Sequence, residues 1–496
     1  MATRSWEFFR ALDPSSSQPL FVQLAQAIAQ DIAANRLAPG QRLPGSRTLA
    51  KSLGIHRNTV LAAYAELASE GWIIAREAQA TVVAASVPVG SLRMLGGAAA
   101  TAMPQDASYE LLPATGVTHP VYPSGTLVLA RAAPDVRLLP IRELASAYRR
   151  VLLRHGPSLL FYGDPRGHPR MRSQIAAMLA ETRGMAATTE TVLVTRGSQM
   201  AIDLAARTLL RPGDVVAVEA LGHPLVWAAL RAAGAELVTI PIDDGGLVVS
   251  ELAKLVAKRP IRAVYVTPHH QFPTNVVMPA DRRRALLALA RLHRFAVLED
   301  DYDHEFHYEA RPLAPIASAD EAGCVVYLGT LSKLLAPGLR LGFLVAPRVV
   351  IDRMAGVRAA MDLQGDHAIE CAVAELFEDG ELQRHVRRMR GIYHARRDAL
   401  VAALRCDLPE ALTFDVPAGG MAIWARVAPA IDLARWVAAG AAHQVAFANA
   451  RDYAEPGCDV PCTRLSFTYL DEHELAEAVS RMKRALIQIS GRAGAT

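Results

Sequence analysis

At 496 residues, with 51% hydrophobic and 21% charged residues, the chain is too long for one ordinary domain and has the apolar material for a large core; length alone suggests about three domains. A net charge of +4 excludes nucleic-acid binding by bulk charge, so any such activity must rest on where the charges sit. The cysteines at 324, 371, 406, 458 and 462 lack the paired spacing of a zinc site and read as reduced thiols, the N-terminus lacks the apolar core of a signal peptide, and no run of about 18 uncharged apolar residues offers a membrane span, which together point to a cytoplasmic protein.

In chain order, Leu20, Val22, Leu24, Ala27, Ile28 and Ile32 recur at helical spacing. After the turn APGQRLP, the segment SRTLAKSLG (46–54) predicts a short helix with Ser46 as N-cap and Gly54 as its stop, and 55–72 predicts a second helix. Two helices joined by a short turn form a helix-turn-helix pattern, and 72–84 reads as two short strands, a wing. Between Ile32 and Ala65 the basic residues Arg36, Arg42, Arg47, Lys51 and Arg57 meet no acidic one. Arg57, Asn58 and Thr59 open the second helix, the position from which such helices reach base edges; Arg47 is a further DNA-binding candidate, and Arg76 in the wing is a candidate for DNA backbone. A small helical bundle, with Asn58 a plain cap and Arg57 a solvated arginine, is the alternative.

Residues 85–118, rich in Ser, Pro, Gly, Ala and Met, read as a linker after a DNA-binding head at 1–84. A large domain is expected at 119–370 and a smaller C-terminal subdomain at 371–496. Strand-like runs (191–197, 215–220, 236–243, 261–268, 295–303, 324–330, 339–347) alternate with helical segments, which predicts a mostly parallel α/β sheet with ligands beyond the strand ends.

One segment there, VVYLGTLSKLLAPGLRLG (325–342), contains Lys333 just after a strand. Only Lys51, Lys254, Lys258, Lys333 and Lys483 are lysines among 53 basic residues, so a lysine that resists the arginine bias is a candidate amine. Arginine cannot lose its proton, whereas a buried lysine can and can form a Schiff base. Asp300 and Tyr302 end an earlier strand, Ser198 and Gln199 start a helix, and Thr330, Ser332 and Arg340 flank the lysine. These are the parts of a pyridoxal phosphate site: an amine, a carboxylate for the pyridine nitrogen, a phenol for the ring oxygen, and hydroxyls, an arginine and a helix N-terminus for the phosphate.

The order PLFVQLAQAI…LAPGQRLPGSRTLAKSLGIHRNTVLAAYAELASEGW resembles the winged helix-turn-helix of the GntR superfamily. The wing differs, since REAQATVV has no glycine at its tip. YGDPRGHPRMR, TRGSQMAIDL, VTPHHQFPTNVVM, EDDYDHEF and GTLSKLLAPGLRLGF resemble fold-type I, aspartate-aminotransferase-like proteins, and most closely MocR-type transcriptional regulators, which join both modules. The resemblance implies an α/β fold: a winged head, a large aminotransferase-like domain with a mostly parallel sheet, and a smaller C-terminal α+β subdomain. It implies pyridoxal 5'-phosphate on Lys333 as a Schiff base, with Asp300 at the pyridine nitrogen and Tyr302 at the phenolic oxygen. Ser198, Gln199, Ser332 and Arg340 would contact phosphate, joined by Tyr162 of a neighbouring subunit, His223 would stack on the ring, and Arg464 would grip an effector carboxylate. Leu221-Gly222-His223 stands where relatives have Pro-Gly-Tyr, Asn275 where they have glycine, and Leu331 where they often have phenylalanine.

The expected function is a transcriptional regulator that senses a small amine, an amino acid or pyridoxal phosphate by imine exchange at Lys333, binds operator DNA and forms a head-to-tail homodimer. An active aminotransferase with a regulatory head, and a repressor that has lost the cofactor, are the alternatives.

Overall fold

The computed structural model describes residues 12–74, 80–86, 106–111, 120–309, 312–455 and 460–491. It divides into two compact units, Met1–Pro113 and Ala114–Thr496. Arg76 and most of the wing tip, along with most of the segment read as a linker, lie outside the described residues.

In the first unit, helix α1 (Leu20–Ala33) buries Leu24, Ile28 and Ile32, one face of the predicted stripe. Helix α2 (Ser46–Leu53) ends at Gly54, whose φ of 66° is the left-handed conformation that glycine adopts without a Cβ penalty. Ser46 is the first helical residue rather than the cap, because Gly45 holds the extended cap position. Helix α3 (Arg57–Ser69) is capped by His56, whose Nδ1 accepts from Asn58 N at 3.2 Å. Asn58 is therefore inside the helix, which is shorter at both ends than the predicted 55–72. Leu49, Val60, Tyr64, Leu67 and Trp72 complete this core. Strands β1 (Ile73–Ile74) and β2 (Val82–Val83) pair antiparallel, the base of the expected wing.

The second unit opens with strand β3 (Leu127–Val128), helix α4 (Ile141–Leu159) and helix α5 (Pro169–Arg183). The main sheet follows: β4 (Val192–Thr195), α6 (Ser198–Leu209), β5 (Val215–Glu219), α7 (Pro224–Ala232), β6 (Glu236–Ile240), the hairpin β7 (Ile242–Asp243) and β8 (Gly246–Leu247), α8 (Val249–Lys258), β9 (Ala263–Val266), α9 (Ala280–His293), β10 (Ala296–Asp301), β11 (Val325–Thr330) and β12 (Gly342–Val345). Its order is β4-β12-β11-β10-β9-β5-β6, and all pairs are parallel except the two made by β12. The central runs VVAVE, AVYV and VVYLGT are buried at every position because helices cover both faces, which is why they read as continuous apolar stretches. Buried acids and hydroxyls gather toward the carboxyl ends, among them Glu219, Glu299, Asp300, Asp301 and Thr330.

Helices α10 (Arg348–Met361) and α11 (His367–Glu378) lead to the long α12 (Glu381–Asp407). The smaller subdomain has an antiparallel sheet of β13 (Leu412–Thr413), β14 (Ala422–Val427) and β16 (Cys462–Ser466), flanked by α13 (Leu433–Ala442), β15 (Val445–Ala446) and α14 (Glu472–Gly491). Position 370/371 falls inside α11, which packs on α4 and α5; the chain turns toward the smaller sheet at Gly380, in the left-handed conformation (φ 69°). The strap that precedes α4 joins this subdomain. Strand β3 pairs parallel with β15, Ser466 N donates to Leu129 O at 2.8 Å, and Thr468 Oγ1 donates to Ala133 O at 2.6 Å.

Candidate cofactor and nucleic-acid sites

Lys333 sits in the turn after β11. Its Nζ donates to Ala132 O of the strap at 2.6 Å. Burial and the nearby Arg464 guanidinium push the amine down to about 8, against the pull of Asp303 and Asp300. A lysine at that value keeps a sizeable neutral fraction near physiological pH, the form able to attack a carbonyl.

Asp300, at the end of β10, is 7% exposed. Tyr265 on β9 donates its hydroxyl to Asp300 Oδ2 at 2.6 Å, while Oδ1 has no hydrogen-bond partner. Burial raises this carboxyl to about 7, opposed by the Tyr265 hydrogen bond and by Lys333 and assisted by Asp301 and Asp303. The Tyr302 hydroxyl is buried without an aligned partner beside Arg464, and burial holds it well above the usual phenol range. Arg464, on β16, is 2% exposed, and its Nε and Nη2 are also unpartnered.

The proposed phosphate end lies at the start of α6. Gly197 holds φ 79° and brings the backbone under Arg340: a Cβ built there meets the guanidinium at 2.8 Å. Arg340, itself left-handed at φ 51°, donates from Nη2 to Arg196 O at 2.9 Å. Ser198 is the first residue of α6, Gln199 Nε2 is tied to Leu225 O at 3.0 Å, and Ser332 N donates to Thr330 Oγ1 at 3.1 Å. A cavity of about 1070 Å³ opens beside Gln199 and Arg340 rather than on Lys333. A helix N-terminus under an arginine suits a dianion.

His223 caps α7 through Leu225 N (3.3 Å), and its ring lies 5.0 Å from Phe272 at a 41° tilt. Phe272 is the residue sequence reasoning missed. Its ring also meets Tyr302 (6.1 Å) and Tyr453 (5.3 Å) edge-on and carries the Arg464 guanidinium at 4.8 Å. Asn275 takes φ 63°, and its Nδ2 donates to Ala422 O, so the asparagine fills the left-handed position expected of it. Leu331 is buried, 2% exposed. Tyr162 is not among the gathered residues of one chain: it stands 72% exposed, with Phe161 as its ring neighbour at 5.6 Å.

In the head, Arg57, Asn58 and Thr59 form the first turn of α3, with Arg57 and Asn58 exposed and Thr59 half-buried, and Arg57 Nε donates to Ser46 Oγ at 3.3 Å. Arg47 is an exposed residue of α2.

The residues fit pyridoxal phosphate on their own geometry. The buried atoms left without hydrogen bonds include Asp300 Oδ1, Tyr302 Oη and two guanidinium nitrogens of Arg464, the donors and acceptors that a ring nitrogen, a ring oxygen and a carboxylate would satisfy. Buried unsatisfied groups of this kind cost about 1–3 kcal/mol each, so their concentration around one amine favours a ligand.

Comparison with known proteins agrees. Residues 130–482 match the family aminotransferase class I and II, and residues 20–83 match the bacterial regulatory proteins of the gntR family. The chain is 32% identical to the probable rhizopine catabolism regulatory protein MocR of Rhizobium meliloti over 85% of this chain and 84% of that protein. It is 30% identical to the HTH-type transcriptional regulator TauR of Rhodobacter capsulatus over 98% of this chain and 100% of that one. Among solved structures, LysN, the α-aminoadipate aminotransferase of Thermus thermophilus complexed with N-(5'-phosphopyridoxyl)-L-leucine, superposes with a TM-score of 0.69 at 29% identity, covering 74% of this chain and 94% of that one. With both modules matched in one chain, the protein belongs to the MocR-type regulators, a GntR-family DNA-binding head joined to an aminotransferase class I and II domain.

Proposed function

We propose that this pyridoxal phosphate-dependent DNA-binding regulator senses a small primary amine or amino acid, or the cofactor itself, through Lys333. Pyridoxal phosphate supplies an aldehyde that condenses with amines and a pyridinium ring that withdraws electrons. Lys333 would hold the aldehyde carbon until an incoming amine displaces it. Asp300 would keep the ring nitrogen protonated, with Tyr265 fixing the carboxylate, and Tyr302 would donate to the ring oxygen. Arg340, Ser332, Gln199 and the N-terminus of α6 would anchor the phosphate, His223 and Phe272 would flank the ring, and Arg464 would pair with an effector carboxylate.

The observation that carries this reading is the 2.6 Å bond from Lys333 Nζ to Ala132 O. Ala132 belongs to the strap that continues the chain from the segment following the head. A lysine engaged with the cofactor releases that carbonyl, and a lysine freed by an amine regains it, so effector chemistry at Lys333 has a local structural readout. An effector shifts such an equilibrium only by its differential affinity for the two arrangements.

Leu160, Phe161 and Tyr162, consecutive and 76%, 70% and 72% exposed, support a homodimer in which Tyr162 reaches the partner's phosphate site. Two heads then suit paired half-sites, contacted through Arg57, Asn58, Thr59, Arg47 and Arg76. No helix among the described residues is long and apolar enough to cross a membrane, and a cytoplasmic place agrees with a DNA-binding role.

The test is the visible spectrum of the purified protein with pyridoxal phosphate, followed as amines and amino acids are added. A cofactor band that one amine class changes, with a parallel change in operator affinity, is expected, and Lys333→Ala should abolish both. A colourless protein indistinguishable from Lys333→Ala overturns the reading. Arg464, with Nε and Nη2 open beside a complete acid, phenol and amine set, also favours turnover, and sustained product formation from an amino acid and a 2-oxo acid would make the protein an aminotransferase with a regulatory head.

A further inference from the structure

Three side chains that the cofactor reading does not use converge near the strand end carrying Asp300 and Tyr302. His269 follows β9, Asp301 closes β10, and His304 lies in the turn after it. They are 5%, 4% and 3% exposed, and one ligand atom from each lies within 4.8 Å of the others. The two imidazoles stack with centroids 4.5 Å apart and a 26° interplanar angle. Both ring nitrogens of His269 and Asp301 Oδ1 have no hydrogen-bond partner. His304 Nδ1 lies 2.8 Å from Asp301 Oδ2 but out of hydrogen-bond alignment, and its Nε2 is unpartnered.

Of the surrounding charges, Arg283 and His270 are engaged elsewhere, while Arg183 faces Asp301 itself. Asp301 Oδ2 accepts from Tyr327 Oη at 2.6 Å and faces Arg183 Nε at 3.5 Å, which leaves Oδ1 open. Arg183 is itself held by Glu305 at 2.5 Å. Arg283 directs its donors to the carbonyls of Met278, Pro268 and Ala314. His270 pairs with Asp303 at 2.7 Å.

We propose that His269, Asp301 and His304 bind a divalent transition-metal ion of the zinc, cobalt or nickel class. Two imidazoles and one carboxylate suit these ions, whereas magnesium and calcium prefer all-oxygen sets. Ligand atoms around tetrahedral zinc stand about 3.3 Å apart, given bonds of about 2.0–2.1 Å. The trio, whose ligand atoms lie within 4.8 Å of one another, would close to that spacing by rotation of the two rings. Tyr327 and Arg183 would then be the outer partners that orient the carboxylate. Because Asp301 lies between Asp300 and Tyr302 in sequence, the ion would brace the turn that carries both.

The test uses full-length protein without a histidine tag, stripped with a chelator, then titrated with Co²⁺ or Zn²⁺ and passed through gel filtration. One retained ion per chain is expected, with visible Co²⁺ bands and no competition from Mg²⁺ or Ca²⁺. His269→Ala and His304→Ala should each weaken binding by at least about tenfold while keeping the far-ultraviolet circular dichroism of the parent. X-ray absorption on the wild-type zinc form, which needs no variant to fold, should show imidazole scattering. No stoichiometric ion, binding that both variants retain, or zinc without imidazole neighbours overturns the proposal. None of these outcomes depends on the cofactor reading.

Discussion

The Lys333 amine shows how one residue's surroundings set its chemistry. Burial and Arg464 bring it down to about 8, so below that value most of the amine is protonated and cannot attack an aldehyde. The rate at which stripped protein takes up pyridoxal phosphate should therefore rise with pH and level off above about 8, as stopped-flow absorbance would record; a rate flat between neutral and alkaline pH counts against Lys333 as the captor. Tyr265 makes a second prediction. Its hydroxyl is the one hydrogen-bond partner the Asp300 carboxylate has among the described residues. Tyr265→Phe leaves a buried acid with no donor, which should cost about 1–3 kcal/mol of stability, read as a lower denaturant midpoint of the stripped protein. Lys333, Asp300 and Tyr302 were legible in the sequence because their types are chemically distinctive and end apolar runs. Tyr265 and Phe272 were not, because their roles come from contacts across strands and loops: Tyr265 lies opposite Leu298 in register, yet its hydroxyl reaches Asp300.

Elements place these residues, and the start of α6 is the most constrained of them. Gly197 combines φ 79° with a built Cβ 2.8 Å from the Arg340 guanidinium, so alanine there meets backbone strain of roughly 1–2 kcal/mol and a clash with that guanidinium. Gly197→Ala should weaken pyridoxal phosphate binding at least about tenfold, that strain being worth a factor of ten, with the fold kept; equilibrium dialysis and circular dichroism check the two halves. In the head, α3 starts one residue after His56 and presents Arg57 at its first turn. Arg57→Ala should cost about 1–3 kcal/mol of operator affinity and relax sequence preference if Arg57 reads a base, while equal loss on operator and random DNA would assign it to phosphate. Strand and helix existence was legible throughout the main sheet because both-face burial makes the strands continuous apolar runs. Helix caps were not: Gly45 rather than Ser46 caps α2, and His56 rather than Asn58 caps α3, since cap identity depends on backbone angles rather than on the best capping side chain. The contribution of the strap to the smaller subdomain was hidden for another reason. The pairing of β3 with β15 joins segments more than half the chain apart, and local periodicity carries no record of such a partner.

For the whole molecule, the proposed function makes sensing and DNA binding one linked equilibrium. If an amine at Lys333 changes operator affinity by some factor, the operator must change amine affinity by the same factor, because the two routes to the doubly bound state share their end points. The factor for such couplings is about 5–150, from about 1–3 kcal/mol. The measurement pairs two titrations on full-length protein loaded with pyridoxal phosphate. Amine is titrated by absorbance with and without a saturating operator duplex, and operator is titrated by anisotropy with and without saturating amine. Equal factors greater than one are expected in both directions, in the same sense. A duplex of random sequence should give a smaller factor, since nonspecific contacts to phosphate demand less of the head's arrangement. Arg464→Ala should lower amino-acid affinity by removing the carboxylate's partner but leave a simple amine's coupling in place, which separates ligand recognition from transmission. Unequal factors would mean that a further state, such as a change in subunit association, joins the cycle, and repeating the titrations across protein concentration would expose it. Factors of one in both directions, despite clear amine binding at Lys333, would overturn the proposed coupling between amine binding and operator affinity.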